Sequence, residues 1–295
     1  MPEHAWLDPA AFPFQSHYLS LPMGRLHYVD EGAGAPVVMV HGNPTWSFLY
    51  RHLIKQLAGQ YRCVALDHIG FGLSDKPADW TYRPADHAAN LETLIDTLGL
   101  TGITLVVQDW GGPIGLAYAL AHPENVKRLV ILNTWLWPVD QDWYYIAFSR
   151  FTGGGLGRFL IRRFNFFVTG IMPQAYGVRA RLTDAIHQHY RQPLAVPAER
   201  KGCWTLPGQI IGATEWLRGL WAQRARLAGK PALIVWGMRD IAFRERELNT
   251  WLAALPNAQV VRLSDVGHFV QEEAVDALGQ AVRAFLAPAA SAPAD

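Results

Sequence analysis

The sequence predicts an α/β fold, a mostly parallel, doubly wound sheet with a helical insertion. Three observations carry that expectation. Short, nearly continuous apolar runs alternate with helical patterns through the first half of the chain and again near its end. Between about Thr134 and Gly229 the alternation stops, and aromatic residues, Arg and Pro mix with helical segments. Half of the 295 residues are hydrophobic against 17% charged, enough to bury a large core and to exclude a disordered or fibrous chain.

Two alternating stretches come first, Tyr18–Leu21 and Arg25–Asp30, joined at Pro22-Met23-Gly24 and read as an antiparallel hairpin at the sheet edge. Ala35–His41, Arg62–Asp67, Ile103–Asp109 and Val126–Asn133 follow as apolar runs, as expected of strands covered on both faces. Helical patterns lie between them at Ser47–Leu57, Arg83–Leu98 and Gly112–Ala121. After the insertion come a strand at Ala232–Gly237, a helix near Arg244–Leu255, a strand at Gln259–Leu263 and a final helix from Val270. This organisation divides the chain into a core of residues 1–133 and 230–295 and a helical cap of residues 134–229. The Ala/Pro-rich tail, 287–295, reads as disordered.

Twenty-six Lys+Arg against 25 Asp+Glu leave a formal charge of +1, which implies no general attraction to nucleic acid or anionic membrane. Cys63 and Cys203 make no disulfide framework, no CxxC suggests zinc, and a reducing cytoplasm is the expected compartment. The start lacks the basic flank and apolar run of a signal peptide, and no apolar run approaches the ~20 residues of a membrane helix. Twelve Trp suggest an apolar pocket as well as a core.

The most informative stretch is Val106-Val107-Gln108-Asp109-Trp110-Gly111-Gly112-Pro113. An apolar strand runs into Asp109 and a glycine-rich helix start follows. Small residues let the two backbones approach, and the apex side chain is exposed above the sheet at the positive end of a helix. Alone, Asp109 reads equally as a helix N-cap. Three further positions change that balance. His41-Gly42-Asn43-Pro44 ends an earlier strand, where an oxyanion loop belongs; Asp240 follows the late strand; His268 lies between the last strand and the last helix. Asp109…Asp240…His268 is the nucleophile–acid–histidine order of an α/β-hydrolase, with each member at a strand's C-terminal end.

His41–Arg51 (HGNPTWSFLYR), Asp67–Pro77 (DHIGFGLSDKP), Gln108–Pro113 (QDWGGP) and Val266–Glu272 (VGHFVQE) resemble the haloalkane dehalogenases. The resemblance spans most of the chain from about Leu21 and is weakest in the insertion. It implies an α/β-hydrolase fold with an inserted cap, no cofactor and no metal. It also implies hydrolysis of a small apolar halogenated substrate to alcohol, halide and proton, with self-association left open. An alkyl halide has no carbonyl for a serine to attack. Displacement by a carboxylate gives an ester whose carbonyl carbon water can attack, so Asp at the elbow suits sp³ carbon. His268 is the expected general base and Asp240 the acid that orients it. The resemblance assigns halide binding to the Trp110 indole N–H and the Asn43 amide. Members that carry a Glu after the strand before the cap have Asn133-Thr134-Trp135 as their counterpart here, and the next carboxylate is Asp140. Asn43 with a late acid resembles the branch of the family with an HGNP asparagine.

Two other readings stand beside this one. An aspartate elbow also serves epoxide hydrolases, whose ring opening needs a proton donor such as Tyr144, Tyr145 or Tyr190. A ligand-binding protein on a hydrolase scaffold is the non-enzymatic reading, and it leaves His268 without a purpose. Gly153–Gly157 lacks the strand and the GK[ST] ending of a phosphate loop and reads as a turn.

Overall fold

The computed structural model describes residues 5–287; the tail expected to be disordered lies outside the described residues apart from Ala287. Eight strands form one sheet: β1 (His17–Leu21), β2 (Gly24–Glu31), β3 (Pro36–Val40), β4 (Arg62–Leu66), β5 (Ile103–Gln108), β6 (Val126–Leu132), β7 (Ala232–Gly237) and β8 (Gln259–Leu263). Their order is β1-β2-β4-β3-β5-β6-β7-β8. β1 and β2 pair antiparallel, as does β2 with β4, and every later pairing is parallel. The apolar runs behave as their composition demands. Every residue of β5 and β7 is buried, whereas the edge strand β8 is half-buried.

Helices α1 (Arg51–Leu57), α2 (Pro84–Thr97) and α3 (Gly111–Ala121) connect the first parallel strands. Between β6 and β7 lie α4 (Trp143–Gly153), α5 (Gly155–Phe164), α6 (Asp184–Arg191), α7 (Lys201–Gly212) and α8 (Thr214–Ala222), with short 3₁₀ and π turns and no strand. α9 (Glu245–Ala254), α10 (Val270–Glu273) and α11 (Val275–Leu286) complete the chain. α1 packs on α11, and α2 packs on α3. Two helices begin differently from the periodicity. Ser47–Tyr50 is a 3₁₀ turn that leads into α1, and the last helix breaks at Ala274, whose φ of −134° is not helical.

The strands' C-terminal ends gather the loops of interest. Two glycines there are fixed by close approach: a Cβ on Gly42 would lie 2.2 Å from Asp109 Oδ1, and one on Gly111 2.0 Å from the Val40 carbonyl oxygen. The loop after β3 is thereby pressed against the turn after β5.

Candidate active site

Asp109 sits between β5 and α3 with φ at +50°, a left-handed conformation rarely held by a non-glycine residue. The turn is tied down on both sides. Asp109 N–H donates to the Asn133 carbonyl at 3.0 Å, and its own carbonyl accepts from Gly112 N–H at 2.9 Å and Thr134 Oγ1 at 2.5 Å. An N-cap aspartate would instead take helical N–H bonds from α3; this carboxylate is turned towards the loop after β3. Oδ1 accepts from the Asn43 backbone N–H at 2.7 Å, and the carboxylate also takes the Trp110 backbone N–H. Oδ2 faces His268, 3.6 Å from Nε2. Burial raises the Asp109 pKa, and the His268 charge and the two backbone N–H bonds pull against it.

His268 is buried in the loop between β8 and α10. Its Nδ1 donates to Asp240 Oδ2 at 2.8 Å, and its Nε2 accepts from the Gln108 amide at 2.8 Å. Burial alone would push this imidazole down; the Asp240 charge and hydrogen bond, helped by Asp109, overcome it and raise its pKa. The loop is stapled from outside the sheet. His268 N–H donates to the Ala175 carbonyl at 2.8 Å, and the buried Glu273 carboxylate accepts from Gly267, Gly177 and Val178 N–H at 2.8, 3.1 and 3.0 Å.

Asp240 follows β7 and is itself held. Asn133 Nδ2 donates to its Oδ2 at 2.8 Å, and Ala242 N–H to its Oδ1 at 2.6 Å. Asn133 also accepts from Gly237 N–H at 2.8 Å, so the residue just after β6 bridges to β7. Asp140 is elsewhere, paired with Arg218 at 3.1 Å.

An apolar cavity opens above Asp109, lined among others by Asn43, Trp110, Trp135, Phe148, Phe243 and His268. Trp110 Nε1 and Asn43 Nδ2 donate to no other described residue, so two N–H donors are left for whatever occupies the cavity. Tyr144 and Tyr145 also line it, but their hydroxyls donate to the Ile241 and Ala242 carbonyls at 2.8 and 2.7 Å. Tyr190 is fully buried away from the cavity and donates to Glu272, which is paired with Arg51. All three tyrosine hydroxyls thus donate away from the cavity.

The structure therefore brings Asp109, Asp240, His268, Asn43 and Trp110 to one site. Sequence reasoning missed Gln108, Asn133 and Glu273. Gln108 and Asn133 carried a signal, being polar groups at the ends of apolar strands. Glu273 lies one residue beyond the VGHFVQE stretch and had none. Among the described residues no group of three or more His, Cys, Asp or Glu is placed to hold a metal.

The alpha/beta hydrolase fold profile matches residues 35–275. Haloalkane dehalogenase 2 of Mycobacterium tuberculosis is 41% identical over 277 residues, 93% of this chain and 96% of that protein. The chain belongs to the haloalkane dehalogenase family. It is a hydrolase acting on carbon–halide bonds, with a small halogenated substrate and a halide product. The crystal structure of the haloalkane dehalogenase DbeA from Bradyrhizobium elkani superposes with a TM-score of 0.83 at 28% identity, covering 92% of this chain and 97% of DbeA. Another relative, the cis-3-alkyl-4-alkyloxetan-2-one decarboxylase of Shewanella oneidensis, is 38% identical over 93% of this chain and 89% of its own length. No described helix is long and apolar enough to cross a membrane.

Proposed function

We propose that Asp109 is the nucleophile of this dehalogenase, His268 the general base, Asp240 its orienting acid, and Trp110 and Asn43 the halide donors. The observation that carries the assignment is the division of labour in one carboxylate: Oδ1 pinned by the Asn43 backbone N–H, Oδ2 free beneath an apolar cavity and beside His268. Oδ2 attacks the halogen-bearing carbon from behind, the C–O bond forms as the carbon–halogen bond breaks, and the halide leaves towards Trp110 Nε1 and Asn43 Nδ2. Indole and amide N–H groups replace lost hydration without delivering a proton.

The ester then presents its carbonyl oxygen, the former Oδ1, to the Asn43 and Trp110 backbone N–H groups. Those donors are already in place for the oxyanion that forms when water adds. Alkylation also removes the Asp109 charge, one of the influences that raise the His268 pKa. The imidazole therefore becomes easier to hold neutral at the step that needs a base. Helices α4–α8 serve, on this reading, as the cap that supplies the cavity's apolar roof.

His268→Phe tests the scheme. Intact mass after exposure to 1-bromohexane should rise by one hexyl group per chain, located on Asp109. A folded variant that binds the substrate and keeps its mass would refute it.

The Shewanella oneidensis relative favours a second reading of the same chemistry. A four-membered lactone also offers an sp³ carbon bearing a leaving oxygen. Attack by Oδ2 there would open the ring and release a carboxylate towards Trp110 and Asn43 in place of halide. Loss of CO2, with the C–C electrons forming the alkene and expelling Asp109, would need no water. Alkene formation from a cis-dialkyl oxetanone by His268→Phe would establish that route, and its absence in the wild type would remove it.

A further inference from the structure

Helices α4 and α5 present an outer surface on which exposed apolar and cationic side chains are interleaved. Leu156, Phe159 and Phe164 of α5 are 63%, 58% and 54% exposed, and Trp143 at the start of α4 is 77% exposed. The rings are not scattered. Phe159 and Phe164 meet edge to face at 6.1 Å, and the Arg163 guanidinium lies 5.3 Å from the Phe164 ring centre. Along α5, Leu156, Phe159, Leu160 and Arg163 fall at i, i+3, i+4 and i+7, a single stripe, while Gly157 and Ile161 take the buried side. Arg158 and Arg162 stand exposed on its flank. Arg150, Arg158, Arg162 and Arg163 form no ion pair among the described residues.

The charge distribution sharpens the picture. From Trp143 to Thr183 there are six Arg and no Asp, Glu or Lys, in a chain whose formal charge is only +1. The near-zero net charge, read above as no attraction to an anionic membrane, averages over one strongly basic stretch and an acidic excess elsewhere.

We propose that this face binds the surface of an anionic lipid bilayer, with α5 lying in the headgroup–acyl boundary. Exposed Phe, Leu and Trp enter the interface while unpaired arginines meet lipid phosphates. A second copy of the chain is a poorer occupant, because a twofold contact would set the same arginines against each other. The inner side of α4 contributes Tyr144, Tyr145 and Phe148 to the active-site cavity. A bilayer on the outer side therefore holds bilayer-dissolved apolar molecules next to the helix that roofs the site.

Flotation of the full chain with vesicles tests this. The protein should rise with vesicles of equal parts phosphatidylcholine and phosphatidylglycerol, less with phosphatidylcholine alone, and binding should weaken roughly tenfold at high salt. Leu156→Glu/Phe159→Glu and Arg162→Glu/Arg163→Glu should each abolish flotation while releasing bromide from a short bromoalkane in solution at the wild-type rate. Failure of the wild type to float at low salt would overturn the proposal. So would equal flotation of wild type and both variants. Concentration-dependent self-association that Phe159→Glu abolishes, without vesicle binding, would give the face to a second copy instead.

Discussion

His268 and the trio His41, His68 and His87 are all buried imidazoles near the C-terminal end of the sheet, yet their company differs. His268 has a carboxylate on each side, and its pKa rises. The trio packs imidazole against imidazole at a tilt, with centroids 4.4 Å apart for His41–His68 and 4.9 Å for His68–His87, and Trp80 lies 4.6 Å beyond His87. Burial lowers His41 to about 4 and His87 to about 3, and His68 falls well below its ordinary value. His41 and His68 bond to each other's backbone and ring, whereas both ring nitrogens of His87 are buried without a partner among the described residues. Where burial outweighs a nearby charge, as at His41 beside Asp67, the imidazole stays neutral; a carboxylate hydrogen-bonded directly to the ring, as Asp240 is to His268, reverses the shift.

The largest expected effect comes from giving His268 the company of the trio. Asp240→Asn should slow ester hydrolysis about 10⁴-fold, the scale of losing a triad carboxylate, and leave alkylation within a few-fold. Asp140→Asn should be near neutral, since Asp140 only pairs with Arg218. The proposed base must be neutral to act, and the Asp240 charge and hydrogen bond hold its pKa up, so hydrolysis should rise with pH through a midpoint that Asp240→Asn lowers. Single-turnover traces across pH separate the two steps; a midpoint that Asp240→Asn does not lower would break the comparison.

Next come the polar groups proposed to donate to the leaving halide. Trp110 Nε1 and Asn43 Nδ2 face the cavity, unlike the nitrogens of His87, which face rings. Each preorganised donor is worth ~3 kcal/mol to a developing anion, so Trp110→Phe and Asn43→Ala should each slow the halide burst roughly a hundredfold. Wild-type bursts in both would show that the two donors do not converge on the leaving group.

The smallest effect is on stability. The folded trio binds fewer protons than the unfolded chain, so its neutral state is fully favourable only above about pH 6.5, the unfolded value. Stability should fall as pH drops from there through the folded values, by up to about 1.4 kcal/mol per pH unit for each histidine. His87→Phe removes two unpaired polar atoms and one of these groups. It should gain ~1 kcal/mol at neutral pH and flatten the acid limb, measured by urea melts at pH 7 and pH 5. An unchanged acid limb would place the acid sensitivity elsewhere.

Most of the scaffold was legible in the chain because its signals are local. Ala232–Gly237 and Gln259–Leu263 begin and end where the apolar runs do, and Asp109, Asp240 and His268 each follow such a run. Helix starts were less legible: the shift of Ser47–Tyr50 into a 3₁₀ turn and the break at Ala274 leave no mark on periodicity. Residue type and order alone named Asp109, Asp240 and His268, because a strand end and a sharp turn dictate what can stand there. Only the tertiary structure decided what surrounds them. Gln108 against His268, Asn133 against Asp240 and Glu273 across three backbone N–H groups join residues from 6 to 160 positions apart. It also turned the three tyrosine hydroxyls onto carbonyls and a carboxylate, and buried the trio so deeply that desolvation outweighs the Asp67 charge beside His41. Reactivity here is a matter of which groups are desolvated together, and desolvation is a property of packing in three dimensions, which no local pattern encodes.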